Sequence, residues 1–242
     1  MIILISFAAF IATLIGGLFA IRFKDKLHLV LGFSAGAVIG VAFFDLMPEA
    51  IELGEKFHSL STITSCVALG FIIYLVLDRT IFLHTHKDDH EEHEHKTTHR
   101  GILGAGSLSI HSFLDGVAIG LAFQVSVAIG AVVTIAVLVH DFSDGINTVS
   151  LILKNSGEKK NAFQWLLLDA VAPVLGATST LFFTLPEQAL SIVLALFAGF
   201  FLYIGASDLI PESHHAHPKF LTTGMTLLGV LVLFIAIHFA SI

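Results

Sequence analysis

Apolar residues run through the chain in long stretches separated by short polar connections. A helix needs about 20 apolar residues to cross a bilayer. Lipid offers the backbone no hydrogen-bond partners, so helices are the expected spanning elements. We therefore predict an all-α integral membrane protein with eight transmembrane helices, numbered here as spans 1 to 8. Their predicted bounds are about 2–21, 28–52, 61–83, 102–124, 127–153, 161–184, 187–210 and 219–240.

Composition supports this prediction. The chain has 242 residues, of which 55% are hydrophobic and 13% are charged, whereas a soluble domain is about 25% charged. The net charge of −7 comes mainly from the connections, and it gives no reason to expect a nucleic-acid partner. The first charged residue is Arg22, so the first stretch is expected to be a span and not a signal peptide. We treat residues 1–242 as a single transmembrane domain.

The basic residues predict the orientation. Of the 12 Lys and Arg residues, all but Lys56 lie in or beside the connections that follow spans 1, 3, 5 and 7. These connections share one side of the membrane, and cytoplasmic loops are enriched in Lys and Arg. We therefore expect a multi-pass protein of the cell membrane (plasma or inner), with both termini outside the cytoplasm.

The connection between spans 3 and 4, residues 85–100, is predicted to be a histidine-rich cytoplasmic loop. Its histidines alternate with Asp and Glu, and tracts of this composition typically bind metal ions. A merely solvated polar loop is the simpler alternative, and metal chaperones and enzymes carry such tracts too. The candidate loop ligands are His84, His86, His90, His93, His95 and His99.

One six-residue pattern, H-x-F-x-D-G, occurs twice. It begins at His111 in the middle of span 4 and again at His140 in the middle of span 5. Residues four apart lie on the same face of a helix, one above the other. His111 is therefore expected to lie over Asp115, and His140 over Asp144. Two adjacent helices would present two imidazoles and at least two carboxylates to each other, far from water.

Acidic residues at this depth are costly. An Asp at the bilayer centre costs roughly 2.5–3.5 kcal/mol, so Asp115, Asp141 and Asp144 together would cost roughly 8–10 kcal/mol. No Lys or Arg lies at the same depth to pair with them. A bound cation would relieve the cost, and an internal network of His–Asp hydrogen bonds is the alternative.

The donor types indicate which cation. Imidazole with carboxylate, and without thiolate, suits Zn²⁺, Fe²⁺, Mn²⁺, Co²⁺ or Cd²⁺. Sites for Mg²⁺ or Ca²⁺ are built from oxygens, and Cu(I) prefers Cys or Met. The donors exceed one tetrahedral shell, so two neighbouring ions sharing an Asp are plausible. The candidate metal ligands are His111, Asp115, His140 and Asp144, with Asp141, Ser112 and Asp169 as further donors. Asp169 on span 6 could equally be a helix-packing partner.

A second repeated pattern surrounds the first. D-L-x-P-E occurs at Asp45–Glu49 near the end of span 2 and at Asp208–Glu212 near the end of span 7. The four motifs form a palindrome along the chain, and the spans that carry matched motifs run in opposite directions. This arrangement is typical of inverted repeats with a site near the midplane, although each motif alone would be an ordinary helix end with a proline. The candidate pathway residues are Asp45 and Glu49 on the outer side, Asp208 and Glu212 on the inner side, and Asn147 on span 5.

Glycines recur at every fourth position on two spans. Gly32, Gly36 and Gly40 lie on span 2, and Gly116 and Gly120 lie on span 4. Small residues at this spacing let membrane helices approach closely. Tight packing within the bundle is the favoured interpretation, and the seam of a homodimer is the alternative.

The stretch from His111 to Gly120 resembles the fourth-helix signature of the ZIP (Zrt/Irt-like) metal transporters, commonly HNxxDGxAIG or HNxPEGxAxG. The resemblance extends over the whole chain and implies uptake of divalent metal by alternating access, through a binuclear site between the fourth and fifth helices. His111 and Asp115 match the ligands of the family's fourth helix. His140, Asp141 and Asp144 fall where the motif of the fifth helix has its ligands.

The chain departs from the family pattern at three points. Ser112 replaces the usual Asn, which weakens the case for a second metal position. Neither central motif contains the family's proline, so local unwinding would fall to Gly116 and Gly145. Ala172 precedes Pro173 where the family usually has Glu, and Asp169 lies one turn away.

These observations predict a transporter and not an enzyme. Its substrate would be a divalent transition metal, zinc first, with iron, manganese, cobalt and cadmium as alternatives, and no other cofactor is expected. A cation-diffusion-facilitator-like exporter is an alternative, but that family has six spans and motif helices that are not adjacent. An intramembrane zinc-dependent hydrolase is another, although the HExxH motif is absent, and a metal sensor is a third.

Overall fold

A computed structural model of the chain describes residues 2–22, 27–86, 93–154, 158–215 and 220–240. Each predicted span is helical in it. Six spans are single helices: Ile2–Arg22 (span 1), Leu60–His86 (span 3), His93–Val125 (span 4), Val127–Lys154 (span 5), Lys159–Ser179 followed by a 3-10 turn at Thr180–Phe182 (span 6), and Phe220–Ala240 (span 8).

Spans 2 and 7 each contain a π-helical turn. Span 2 runs through Leu27–Val41, a π turn at Ala42–Leu46, and Met47–Gly54. Span 7 runs through Glu187–Tyr203, a π turn at Ile204–Leu209, and Ile210–His215.

Seven of these helical segments are long and apolar enough to cross a membrane, counted over the described residues. The remaining one, span 1, has an apolar segment of 17 described residues within a helix of 21 residues. A helix of that length reaches about 30 Å, the thickness of the hydrocarbon core. The prediction of an all-α multi-pass membrane protein is confirmed.

The histidine-rich connection is shorter than predicted. Span 3 continues to His86 and span 4 begins at His93, so five of the six predicted loop histidines lie on helix ends. His90 lies outside the described residues, as do the side chains of all six. Metal binding by this tract therefore stays a prediction.

The helices form two groups. Spans 1, 4, 5 and 6 pack mainly on one another, through the pairs 4–6, 1–5 and 4–5. Spans 2, 3, 7 and 8 form the second group, through the pairs 2–7, 2–8 and 3–7. Exchanging span 1 with 6, 2 with 7, 3 with 8 and 4 with 5 reproduces the same pairs. The packing therefore has the inverted symmetry that the palindrome of motifs predicts.

Glycines allow four pairs of helices to pack in backbone contact. A Cβ atom at Gly116 of span 4 would fall on the carbonyl of Pro173 in span 6, and one at Gly176 would fall on the carbonyl of Phe113. The same reciprocal contact recurs in three other pairs: Gly145 with Thr13 and Gly16 with Phe142 (spans 5 and 1), Gly36 with Thr226 and Gly229 with Phe33 (spans 2 and 8), and Gly70 with Leu196 and Gly199 with Val67 (spans 3 and 7). Because no side chain intervenes, the backbones touch.

These contacts decide two of the sequence predictions. Gly32, Gly36 and Gly40 face span 8, and Gly120 faces Thr180 beside span 6, so the glycine patterns serve packing within one subunit. The expectation of unwinding at Gly116 and Gly145 is wrong, because both helices continue through these positions without interruption. Each glycine instead makes room for a neighbouring backbone.

The two π turns lie on the repeated D-L-x-P-E motifs. Each turn closes through a hydrogen bond from the residue before proline, Met47 to the carbonyl of Ala42 and Ile210 to the carbonyl of Gly205. Proline has no N–H, and its ring clashes with the carbonyl four residues earlier. The preceding turn widens to accommodate it, as at other π-bulges. Asp45 and Asp208 therefore lie on widened turns inside their spans, with helix continuing beyond them.

Candidate metal centre

Four side chains from spans 4 and 5 converge on one point. His111 and Asp115 are one turn apart on span 4, and His140 and Asp144 are one turn apart on span 5, so each pair extends from a single helix face. One ligand atom from each residue lies within 4.8 Å of the others. All four side chains are buried, and the most exposed, His111, is 4% exposed.

The distances are those of a ligand shell. His111 Nε2 lies 3.1 Å from Asp115 Oδ2 and 3.3 Å from Asp144 Oδ2, and His140 Nε2 lies 3.1 Å from Asp115 Oδ2. Zinc binds imidazole nitrogen and carboxylate oxygen at about 2.0–2.2 Å, which in a tetrahedron separates the ligand atoms by about 3.3–3.6 Å. These three separations are close to that range, and all four ligand atoms lie within 4.8 Å of one another, so the cluster is compact enough to surround a divalent cation.

The hydrogen bonds of His140 point to a cation as well. Its Nδ1 lies 2.9 Å from the carbonyl oxygen of Ala136, which can only accept, so Nδ1 carries a proton. In the neutral ring, Nε2 then presents a lone pair to the Asp115 carboxylate. Two lone pairs facing each other at 3.1 Å require a proton or a metal ion between them. A backbone bond on the far nitrogen is also the usual support for a metal-binding histidine.

Electrostatics favour a positive ligand. Residues 101–153 contain no Lys or Arg. His111 Nε2 and Asp144 Oδ2 are buried without a well-aligned hydrogen bond to any described residue. Burying carboxylates without a partner is strongly unfavourable, and a divalent ion would pair with several of them at once.

Asp169 is held beside this cluster by two hydroxyls. Ser112 Oγ on span 4 donates a hydrogen bond of 2.9 Å to its Oδ1, and Thr148 Oγ1 on span 5 donates one of 2.9 Å to its Oδ2. Asp169 is fully buried. It therefore connects spans 4, 5 and 6 at the depth of the cluster. The hydroxyl proton of Ser112 is donated to Asp169.

Asp141 is the most isolated carboxylate of the centre. It is fully buried, and neither of its oxygens has a hydrogen-bond partner in the described part of the chain. Its Oδ1 lies 4.0 Å from His140 Nε2. An unpaired buried carboxylate at this distance favours a second cation position next to the first.

The predicted pathway residues are only partly described. Asp45 is 8% exposed, and its Oδ2 has no partner among the described residues, whereas Glu49 is partly exposed. Asn147 is partly buried on span 5. Asp208 and Glu212 lie in the helical part of span 7, but their side chains fall outside the described residues.

Three buried polar residues and two aromatic residues near the centre were missed by the sequence reasoning. Ser34 of span 2 donates to the Val139 carbonyl at 3.1 Å and lies 2.7 Å, Oγ to Oγ, from Ser143 inside the second motif. Hydroxyls are common in apolar helices, so Ser34, Ser143 and Thr148 carry little signal by themselves. The aromatic residues are Tyr74 and Phe201, which contact the two imidazoles.

Known zinc transporters resemble this chain over most of its length. The sequence matches the family described as "ZIP Zinc transporter" over residues 1–105 and 83–236. It is 27% identical to the zinc transporter ZupT of Corynebacterium aurimucosum over 253 aligned residues, which cover 93% of this chain and 94% of that protein. It is 26% identical to the zinc transporter ZIP13 of Pongo abelii, over 77% of this chain and 58% of that protein.

A third relative covers the chain less fully. Human zinc transporter ZIP6 is 31% identical over 115 residues, which are 47% of this chain and 15% of that protein. The family match spans nearly the whole sequence, and the resemblance found in the motifs is confirmed. The chain therefore belongs to the ZIP zinc transporter family, whose members are transporters and not enzymes.

Proposed function

We propose that this protein moves divalent transition-metal ions, zinc foremost, across the cell membrane into the cytoplasm. Divalent metal transport itself follows from membership of the family. The observation that supports the choice of site is the buried cluster of two imidazoles and two carboxylates between spans 4 and 5. Two nitrogen and two oxygen donors suit zinc, while iron, manganese, cobalt and cadmium remain competing substrates.

The centre is proposed to take two ions. The first would bind His111, Asp115, His140 and Asp144. The second would bind Asp141 and Asp169, sharing Asp144 with the first. Asp141 supports this assignment because both of its oxygens are buried and unpaired among the described residues. Ser112 is assigned here to holding Asp169 in place, since it donates to that carboxylate.

The proposed route begins on the outer side of span 2. Glu49 is partly exposed and Asp45 is buried one turn deeper, so the two carboxylates would lead an ion inward from water. By the inverted symmetry of spans 2 and 7, Asp208 and Glu212 would serve the exit, with Asn147 beside the route. The histidine-rich tract would then receive the ion on the cytoplasmic side, and the distribution of basic residues supports termini outside the cytoplasm.

Alternating access is supported by the two helix groups. The proposed metal ligands lie on spans 4, 5 and 6 of one group, while Asp45 and Asp208 lie on spans 2 and 7 of the other. A displacement of one group against the other would expose the centre first to one side and then to the other. We propose this movement as the transport step.

Replacing a central ligand tests the site. Asp115→Ala and Asp144→Ala are each expected to reduce Zn²⁺ uptake into proteoliposomes to the level of empty liposomes, because each removes a charged ligand from a buried centre. The matched control is Glu55→Ala, which removes an exposed carboxylate at the outer end of span 2 and should leave uptake unchanged. Wild-type flux in both Asp variants would refute the site.

Direction and assembly are tested separately. Proteoliposomes of known protein orientation, loaded with metal on one side only, report whether ions move toward the proposed cytoplasmic face. Outward flux would instead favour an exporter. The predicted homodimer also stays a proposal, and light scattering of the purified protein tests it. Because the glycine stripes are used inside the subunit, a dimer would have to form through other apolar faces, such as those of spans 3 and 8.

A further inference from the structure

Four aromatic and imidazole rings make successive contacts through the metal centre, in the order Tyr74, His111, His140 and Phe201. The Tyr74 ring of span 3 lies edge to face with the His111 ring, with centroids 5.7 Å apart at 86°. The two imidazoles are 5.5 Å apart at 35°. The Phe201 ring of span 7 meets the His140 ring at 5.6 Å and 72°. The two ligand imidazoles are therefore enclosed between aromatic rings that belong to the other helix group.

The two outer rings are firmly held. Tyr74 packs against the rings of Phe200 and Tyr203 at 5.7 and 5.4 Å, and Tyr203 also packs against Phe71 at 5.3 Å. Phe201 is 1% exposed. These residues lie on spans 3 and 7, whose backbones touch through reciprocal glycine contacts. The outer rings, Tyr74 and Phe201, are therefore held in place by packing where they contact the imidazoles.

The rings of Tyr74 and Phe201 restrict how the imidazoles can rotate. A histidine ring that rotates away from the centre carries its Nε2 away from the shared cation. The Ala136 carbonyl anchors one edge of the His140 ring, and Phe201 closes the space beside it. On the other side, Tyr74 closes the space beside His111. Edge-to-face aromatic contacts of this kind favour one ring orientation over others.

We propose that Tyr74 and Phe201 are positioning residues that set the preference of the centre for zinc over manganese. This inference rests on the proposed function, because it assigns a role toward the same transported ion. With both imidazoles held in place, the centre offers two nitrogen donors, which zinc prefers. With one imidazole free to turn, the donors that stay are the other imidazole and the carboxylates of Asp115 and Asp144, and this more oxygen-rich site suits manganese better.

The test compares Phe201→Leu with Phe197→Leu. Both changes remove a buried aromatic ring from span 7, but the Phe197 ring packs against Phe200, whereas the Phe201 ring packs against His140. Flux of Zn²⁺ and Mn²⁺ is measured in proteoliposomes, and X-ray absorption on protein loaded with one Zn²⁺ per chain counts the imidazoles on that ion. For Phe201→Leu we expect the KM for Zn²⁺ to rise on the order of tenfold, as for other residues that orient a metal ligand. The KM for Mn²⁺ should stay unchanged, and the imidazole count should fall below two.

The control should keep the wild-type ratio of Zn²⁺ to Mn²⁺ flux and both imidazoles. Equal changes in the two Leu variants, or a wild-type ratio in Phe201→Leu, would overturn the proposal. If Phe201→Leu does not fold, Tyr74→Leu replaces it, with Tyr74→Phe as the variant that keeps the ring and should rescue the ratio. A wild-type protein that moves neither ion would instead refute the proposed function.

Discussion

At the scale of single residues, Asp169 shows how a carboxylate is kept at membrane depth without a basic partner. Each of its oxygens accepts one hydroxyl hydrogen bond, from Ser112 and from Thr148. Hydrogen bonds to a charged group contribute about 1.5–3 kcal/mol each, more than those between neutral groups. Asp141 has no such donors among the described residues, so these two buried carboxylates of the centre differ in how they are stabilised.

This difference predicts that Thr148→Val destabilises the metal-free protein. The valine fills the same space but leaves Asp169 Oδ2 buried without a donor, so we expect the free energy of unfolding to fall by about 1–3 kcal/mol. SDS titration in mixed micelles measures the change. The matched control is Thr134→Val on the same span, because Thr134 donates to the Gly130 carbonyl of its own helix and not to a carboxylate of the described residues. A loss in both variants of equal size would show that the Asp169 contact is not responsible.

At the scale of helices, the glycine contacts decide how close spans 4 and 6 can come. Gly116 lies next to the proposed ligand Asp115, and its missing side chain lets the Pro173 carbonyl touch the backbone of span 4. The same contact between spans 5 and 1 lies next to Asp144, at Gly145. The final glycine of each H-x-F-x-D-G motif therefore positions the helix that carries the preceding aspartate.

Gly116→Ala should accordingly harm both stability and uptake. Its Cβ would overlap the Pro173 carbonyl, which cannot move aside as a flexible side chain would. Overpacking of this kind typically costs about 1–3 kcal/mol, and Zn²⁺ uptake should fall as Asp115 is displaced. The control is Gly224→Ala in span 8, where a Cβ meets nothing within 4 Å. Thermal unfolding and flux measurements on both variants check the prediction, and two indistinguishable variants would contradict it.

How far the sequence could predict this arrangement depended on the type of signal. Hydropathy was sufficient to predict the spans. The i, i+4 spacing was sufficient to predict that His111 and Asp115 share one helix face and that His140 and Asp144 share another, because spacing along a helix is local geometry. Thr148 could not be found this way, since its role depends on which residue of span 6 lies opposite. Phe201 is one of 22 phenylalanines in an apolar chain. The residues that position the ligands are thus set by contacts between distant segments, which periodicity does not report.

At the scale of the whole molecule, Ser34 joins the two helix groups beside the metal centre. It lies on span 2, and its hydroxyl contacts Ser143 and the Val139 carbonyl of span 5. All the proposed metal ligands belong to the group that includes span 5. A transport step that moves this group past span 2 must therefore break the Ser34 contacts, whereas a transporter with fixed helix groups would keep them throughout.

A reversible cross-link distinguishes these two cases. Cys66 is the only cysteine, so Cys66→Ser gives a background without thiols. In that background, Ser34→Cys with Ser143→Cys places two thiols where the hydroxyl oxygens are 2.7 Å apart, close to the 2.05 Å of a disulfide. We expect oxidation to reduce Zn²⁺ flux to the level of empty liposomes and reduction to restore it, with each single-cysteine variant unaffected by oxidant. Full flux through the cross-linked protein would show that ions pass without movement of span 5 against span 2.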